Sequence, residues 1–183
     1  MTTDRAGTRW WMRMSGRDPA EAHRAATPLE LLFDLCFVVA VAQAASAFHH
    51  DLADGAFGHG LFSYLVVFFT IWWPWMNFTW FASAYDTDDV PYRLLTFVQI
   101  AGVLIVAAGV PRVFEELDFS ITVVGYVIMR IALVGQWLRA ARQDPTGRPV
   151  ALRYATAMGI PKRWDSSMAV FSCLCVAEIM VIE

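Results

Sequence analysis

Apolar positions along this chain fall into four blocks separated by short polar stretches: Leu29–Phe48, Leu61–Phe81, Leu94–Val110 and Phe119–Leu138. Each block holds close to the roughly 20 residues a helix needs to cross ~30 Å of hydrocarbon. In lipid every backbone N–H must be satisfied inside its own segment, so blocks of this kind read as helices. The pattern predicts an all-α transmembrane helix bundle of four spans. It divides the chain into a basic N-terminal segment (1–27), the bundle (28–157) and a tail (158–183). Within the tail, Ser166–Ile182 is apolar but short and carries Glu178. A charge there raises the insertion cost by a few kcal/mol, so an interfacial or poorly packed helix is expected rather than a fifth span.

Composition agrees. Hydrophobic residues make up 57 % of the chain and charged ones 17 %, below the roughly 25 % of soluble domains, and mean hydropathy is +0.46. Ala42-Gln43-Ala44 and Ala45-Ser46-Ala47 look like signal-peptide cleavage sites. The long polar lead-in, Asp34 within the apolar stretch and three following spans favour an uncleaved anchor. Cys36, Cys173 and Cys175 give neither a disulfide framework nor a zinc spacing.

Basic residues fix the expected orientation. Alternating the sides of the membrane puts twelve of the fourteen Lys and Arg on one face, Arg112 on the other and Arg130 within a span. The positive-inside rule then makes the N-terminus and the 139–163 loop cytoplasmic. The net charge of −3 is uninformative about nucleic acid, and no basic tract or aromatic–basic interleaving suggests it, so no nucleic acid is expected and the lipid bilayer is the expected partner.

Against this background the polar residues inside spans stand out, because a charge in hydrocarbon costs several kcal/mol unless paired or hydrated. Thr27-Pro28-Leu29-Glu30 reads as a helix start, with Thr27 capping and Glu30 where a capping box places its carboxylate. Asp34 lies one turn deeper, ~9 Å past Pro28, where no cap accounts for it. On the same scale Arg130 lies ~12 Å, Gln99 ~10 Å and Asn77 ~6 Å from the inner ends of their spans. The five residues Glu30, Asp34, Asn77, Gln99 and Arg130 thus define an intramembrane polar layer, with Asp34–Arg130 the expected ion pair. Depth alone leaves open whether that pair is a structural clamp or part of a transport path. Cys36, Ala40, Ala44 and Ala47 form a small-residue stripe on another face of the first span, which is therefore expected to be a buried central helix.

Other clusters are weaker. Pro74, within Trp72–Phe81, frees the carbonyl of Thr70 and predicts a kink. Asp86, Asp88 and Asp89 could supply oxygen ligands to Mg²⁺ or Ca²⁺, or simply form a solvated turn. His49, His50, Asp51, Asp54 and His59 match no strong ligand spacing. No Ser/His/Asp or Cys/His set, P-loop or dinucleotide fingerprint occurs, so no catalytic residue and no cofactor is implied.

Leu29-Glu30-Leu31-Leu32-Phe33-Asp34-Leu35-Cys36-Phe37-Val38, together with Trp75-Met76-Asn77-Phe78-Thr79-Trp80-Phe81 ahead of Asp86-Thr87-Asp88-Asp89, resembles the bacterial low-temperature-requirement A family. The resemblance covers residues 25–157 and implies a multi-pass inner-membrane protein linked to growth in the cold, with no established reaction. It fades after Met158, and the family continues through further spans, so a truncated or frame-shifted copy is the expectation. Three functions follow. The first is transport of protons, ions or a small solute through the layer at Asp34 and Arg130. The second is a non-transporting scaffold or stress-adaptation protein whose charges serve helix packing. The third is a metal-dependent membrane enzyme using the Asp86–Asp89 turn. A homo-oligomer is compatible with each.

Overall fold

The computed structural model describes residues 10–14, 16, 27–85 and 87–159, and every structural statement below concerns these. Five helices follow in order: α1 (Pro28–Ala53), α2 (Phe57–Ala84), α3 (Val90–Glu116), α4 (Ser120–Gln143) and α5 (Arg148–Gly159). The first four are long and apolar enough to cross a membrane, and each covers one of the expected spans almost entirely, running three to six residues past its C-terminal end. Ser166–Ile182, the tail segment expected to lie at the interface, falls outside the described residues.

Local chemistry sets the helix boundaries. Thr27 caps α1 by accepting the Glu30 N–H at 3.2 Å, and Pro28 fills the first helical position. Asp89 caps α3, its Oδ1 accepting the Tyr92 N–H at 3.1 Å. Leu117 adopts the left-handed conformation (φ 54°) that ends α3, its N–H reaching back to the carbonyl of Val113. Pro74 sits inside α2, which continues as one helix past it.

Helix α5 corrects the sequence reading, which left 139–163 as loop. Its mean hydropathy is far below that of a span, so no apolar block announces it. Tertiary packing supplies what the pattern lacked. Tyr154 stacks on Trp137 of α4 at 4.6 Å between ring centroids, and Ala151 and Ala155 are buried in the same aromatic cluster with Phe81, Tyr85 and Tyr92.

Helices α3 and α4 form the tightest seam. A Cβ on Gly102 would lie 2.5 Å from Met129 Cγ and 2.8 Å from the Gly125 carbonyl oxygen. A Cβ on Gly125 would lie 2.7 Å from the Gly102 carbonyl oxygen. These two glycines let the backbones touch, as small residues do between helices in lipid.

Helix α1 is peripheral, which corrects the expectation of a central helix. Only 17 % of its apolar window is buried, against 44 % in α2 and α3 and 50 % in α4. The small-residue stripe does pack inward, with Ala40 and Ala44 fully buried and Cys36 and Ala47 against them. Leu31, Leu35, Val38 and Val39 nevertheless face outward. One packed stripe is enough to dock a helix but not to surround it.

Candidate intramembrane polar site

The polar layer resolves into two seams. On the first, between α1 and α2, Asp34 Oδ1 accepts a hydrogen bond from the Trp75 indole Nε1–H at 2.7 Å. Phe37 stacks on the Trp75 ring at 5.1 Å, and Phe33 stacks on Phe78 at 4.0 Å one turn away. These rings hold the indole edge-on to the carboxylate, which is half-buried. Asn77, also on α2, turns along its own helix and donates to the Trp73 carbonyl at 2.9 Å.

On the second seam, between α3 and α4, Gln99 Nε2 donates to Gln136 Oε1 at 2.9 Å. Gln136 Nε2 in turn reaches Thr96 Oγ1 at 3.3 Å, and that hydroxyl donates to the Tyr92 carbonyl at 2.9 Å. Arg130 lies further along α4, its guanidinium 5.7 Å from the centre of the Tyr126 ring. Glu30 sits at the capped start of α1, half-buried.

Asp34 thus meets Trp75 where the matched depths pointed to Arg130. Helix α1 packs on α2 and α3, while α4 packs on α3, α2 and α5; α1 and α4 do not lie against each other. Depth along a helix says nothing about which neighbour its face meets.

The strongest ionic contact was not read from the sequence. Asp89, fully buried at the start of α3, forms a two-pronged ion pair with Arg139 in the last turns of α4. Arg139 Nη1 donates to Asp89 Oδ1 at 2.8 Å, and Nη2 donates to Oδ2. Residues 10–14 are strapped over this pair by their backbone. The Met12 N–H donates to Asp89 Oδ2 at 2.9 Å, and the Met12 carbonyl accepts from Arg139 Nη2 at 3.0 Å. The Met14 N–H donates to Gln143 Oε1 at 2.8 Å, and the Trp11 ring lies 4.7 Å from the Arg139 guanidinium. Burial pushes the Asp89 carboxyl up, but the Arg139 fork and the Met12 and Tyr92 amides together hold it below the ordinary range. The only signal in the sequence was an acidic turn and an arginine 50 residues later, each with an ordinary solvated explanation.

The same contacts bear on the acidic turn as a cation site. Arg93 grips Asp88 through Nε and Nη2, both at 2.7 Å, and its fork lowers the Asp88 carboxyl. Asp88 and Asp89 are each engaged by an arginine, and Asp86 lies outside the described residues. At the opposite end His59 Nδ1 lies 3.0 Å from Asp51 Oδ2 across the α1–α2 turn. Among the described residues, no three His, Cys, Asp or Glu side chains converge as metal ligands.

With the fold and both seams in view, comparison with known proteins is decisive on one point. The profile of the bacterial low temperature requirement A protein (LtrA) family matches residues 25–170. The chain belongs to the LtrA family. The match includes Asp34, Trp75, Asp89 and Arg139, and it runs past Met158, where the resemblance had been expected to fade. Separately, an uncharacterized protein of Rhizobium meliloti (strain 1021) is 31 % identical over 123 residues. That alignment takes in 67 % of this chain but 28 % of the relative, so the LtrA chain described here spans well under half of that protein. No solved structure matches.

Proposed function

We propose that this LtrA-family protein lies in the bacterial inner membrane with its N-terminus cytoplasmic, and that it moves protons or a small cation, with Asp34 as the carrying group. One observation carries the reading. Among the described residues Asp34 has a neutral hydrogen-bond partner, the Trp75 indole, and no cationic one. A carboxylate at membrane depth held only by a neutral donor is completed by a proton or a cation from outside the protein. The orientation has its own support. Arg13, Arg93, Arg139, Arg142, Arg148 and Arg153 share the end of the bundle where residues 10–14 are strapped, and Arg112 lies at the other.

The scaffold reading draws on the other seam. Gln99, Gln136 and Thr96 satisfy one another and tie α3 to α4, which is what polar groups do when their role is packing. Both readings are non-enzymatic.

Flux separates them. The protein reconstituted in liposomes with a pH-sensitive dye inside should dissipate an imposed proton gradient, and Asp34→Asn should cut the rate by about tenfold or more. Gln136→Leu should leave the rate within about twofold if that seam only packs. Wild-type vesicles no leakier than empty ones to protons, Na⁺ or K⁺, or an Asp34→Asn rate equal to wild type, would remove the transport reading in favour of the scaffold.

A further inference from the structure

Helix α1 carries one polar side chain that its own bundle does not explain. Gln43 lies fifteen residues after Pro28 and ten before Ala53, ~4 Å from the midpoint of the 26-residue helix. It points away from the bundle, and its amide makes no hydrogen bond to any described residue. An amide facing hydrocarbon at that depth costs several kcal/mol while its donors and acceptor are unmet. Asp34 and the glutamines of the second seam have partners among the described residues; Gln43 has none there.

The geometry points to a second copy of this chain as the partner, docked α1 against α1 through Gln43. A primary amide has two donor hydrogens and an acceptor oxygen, so two glutamines across a twofold axis can each donate to the other's Oε1. The surrounding surface fits that approach. Val39, Gln43, Ser46 and His50 are all exposed and follow one another at spacings of four, three and four, the seam that paired helices use. Ala42 and Ala45 flank the seam, are exposed, and are small enough to bring two backbones close. Helix α1 is also the span with the largest face left open by the bundle. This inference is independent of the transport reading, since it needs neither Asp34 nor flux.

The test uses full-length protein in membranes, with Cys36, Cys173 and Cys175 replaced by alanine. Single cysteines at Val39, Gln43 and Ser46 should form disulfide-linked dimers on mild oxidation. Cysteines at Leu104 and Val124, equally exposed on α3 and α4, should not. Energy transfer between labelled copies, followed as lipid is added to dilute them, should give a dimer that Gln43→Leu weakens by about threefold to thirtyfold and Gln43→Asn weakens less. Gln43→Leu makes the outer face more apolar and leaves the core intact, so loss of folding does not cloud the result. A monomer at every dilution, equal cross-linking at Leu104 or Val124, or a dimer indifferent to Gln43→Leu would each overturn the proposal. The first outcome would leave lipid or a different helix as the cover for this face.

Discussion

The α3–α4 seam and helix α1 treat polar groups in opposite ways. Between α3 and α4 the polar side chains answer one another: Asp89 to Arg139, Gln99 to Gln136, Gln136 to Thr96. Between these ties and the far end, two glycines bring the backbones into contact. Helix α1 has one acid with a neutral partner and one amide with none among the described residues, on a helix that is mostly open. In lipid the hydrophobic effect does not distinguish a helix neighbour from an acyl chain, so packing and polar pairing decide what holds together. The seam that completes its own pairs is architecture. The helix that leaves them incomplete among the described residues is the one on which both proposals rest.

The largest expected effect breaks the architectural side. Asp89→Ala strands a guanidinium and should destabilise the protein by about 3–5 kcal/mol, while the pair Asp89→Ala with Arg139→Met should recover much of that loss. Thermal unfolding in detergent across the four proteins measures it; additive losses would mean that the ion pair is not a unit. The pH dependence follows from the same contact. The native Asp89 carboxyl is lower than the unfolded one, so its stabilisation is complete above the unfolded value, about 4, and is lost as pH falls through the native value. The contribution of this ion pair should therefore be flat at neutral pH and fall only in acid, below about pH 4.

Next in size is Gly125→Ala. The new methyl would press on the Gly102 carbonyl and Val106, and overpacking of that kind costs about 1–3 kcal/mol. Leu31→Met, on the open face of α1 and well away from Gln43, should move the melting temperature hardly at all, and the contrast between the two substitutions tests the comparison directly. The smallest loss within the seam is that of Gln136→Leu, about 0.6–2 kcal/mol, because the membrane-unfolded chain also finds partners for Gln99. A loss as large as that of Asp89→Ala would make the glutamine pair, rather than the ion pair, the main tie of the seam.

Much of the fold was legible because each span states itself in consecutive residues. The Thr27 cap, Pro28 at the first turn and the inward stripe of Ala40 and Ala44 follow from local chemistry and helical period alone. What the chain does not spell out is azimuth between elements. Asp34 and Arg130 have matching depth, yet their helices do not touch, and Trp75, named in the sequence only as part of the family motif, meets the carboxylate. Asp89 and Arg139 are 50 residues apart and read separately as a turn and a cytoplasmic positive charge. Helix α5 was missed for a similar reason, since the stack of Tyr154 on Trp137 exists only after α4 has its final place. The exposure of α1 was misjudged because a small-residue stripe shows that a helix is packed on one side, and not on how many.

The strap formed by residues 10–14 also fixes an order of events during synthesis. Its anchors are Asp89, Arg139 and Gln143, so residues 10–14 have no seat until both α3 and α4 have been made. Three helices must enter the membrane while that segment waits, and its docking certifies that α3 and α4 have met. Met12 and Met14 are held through their backbone while Trp11 lies against the Arg139 guanidinium, so the seat engages both the course of the segment and a side chain. Closure of the strap therefore follows the meeting of α3 and α4, and is taken by residues made before either of them.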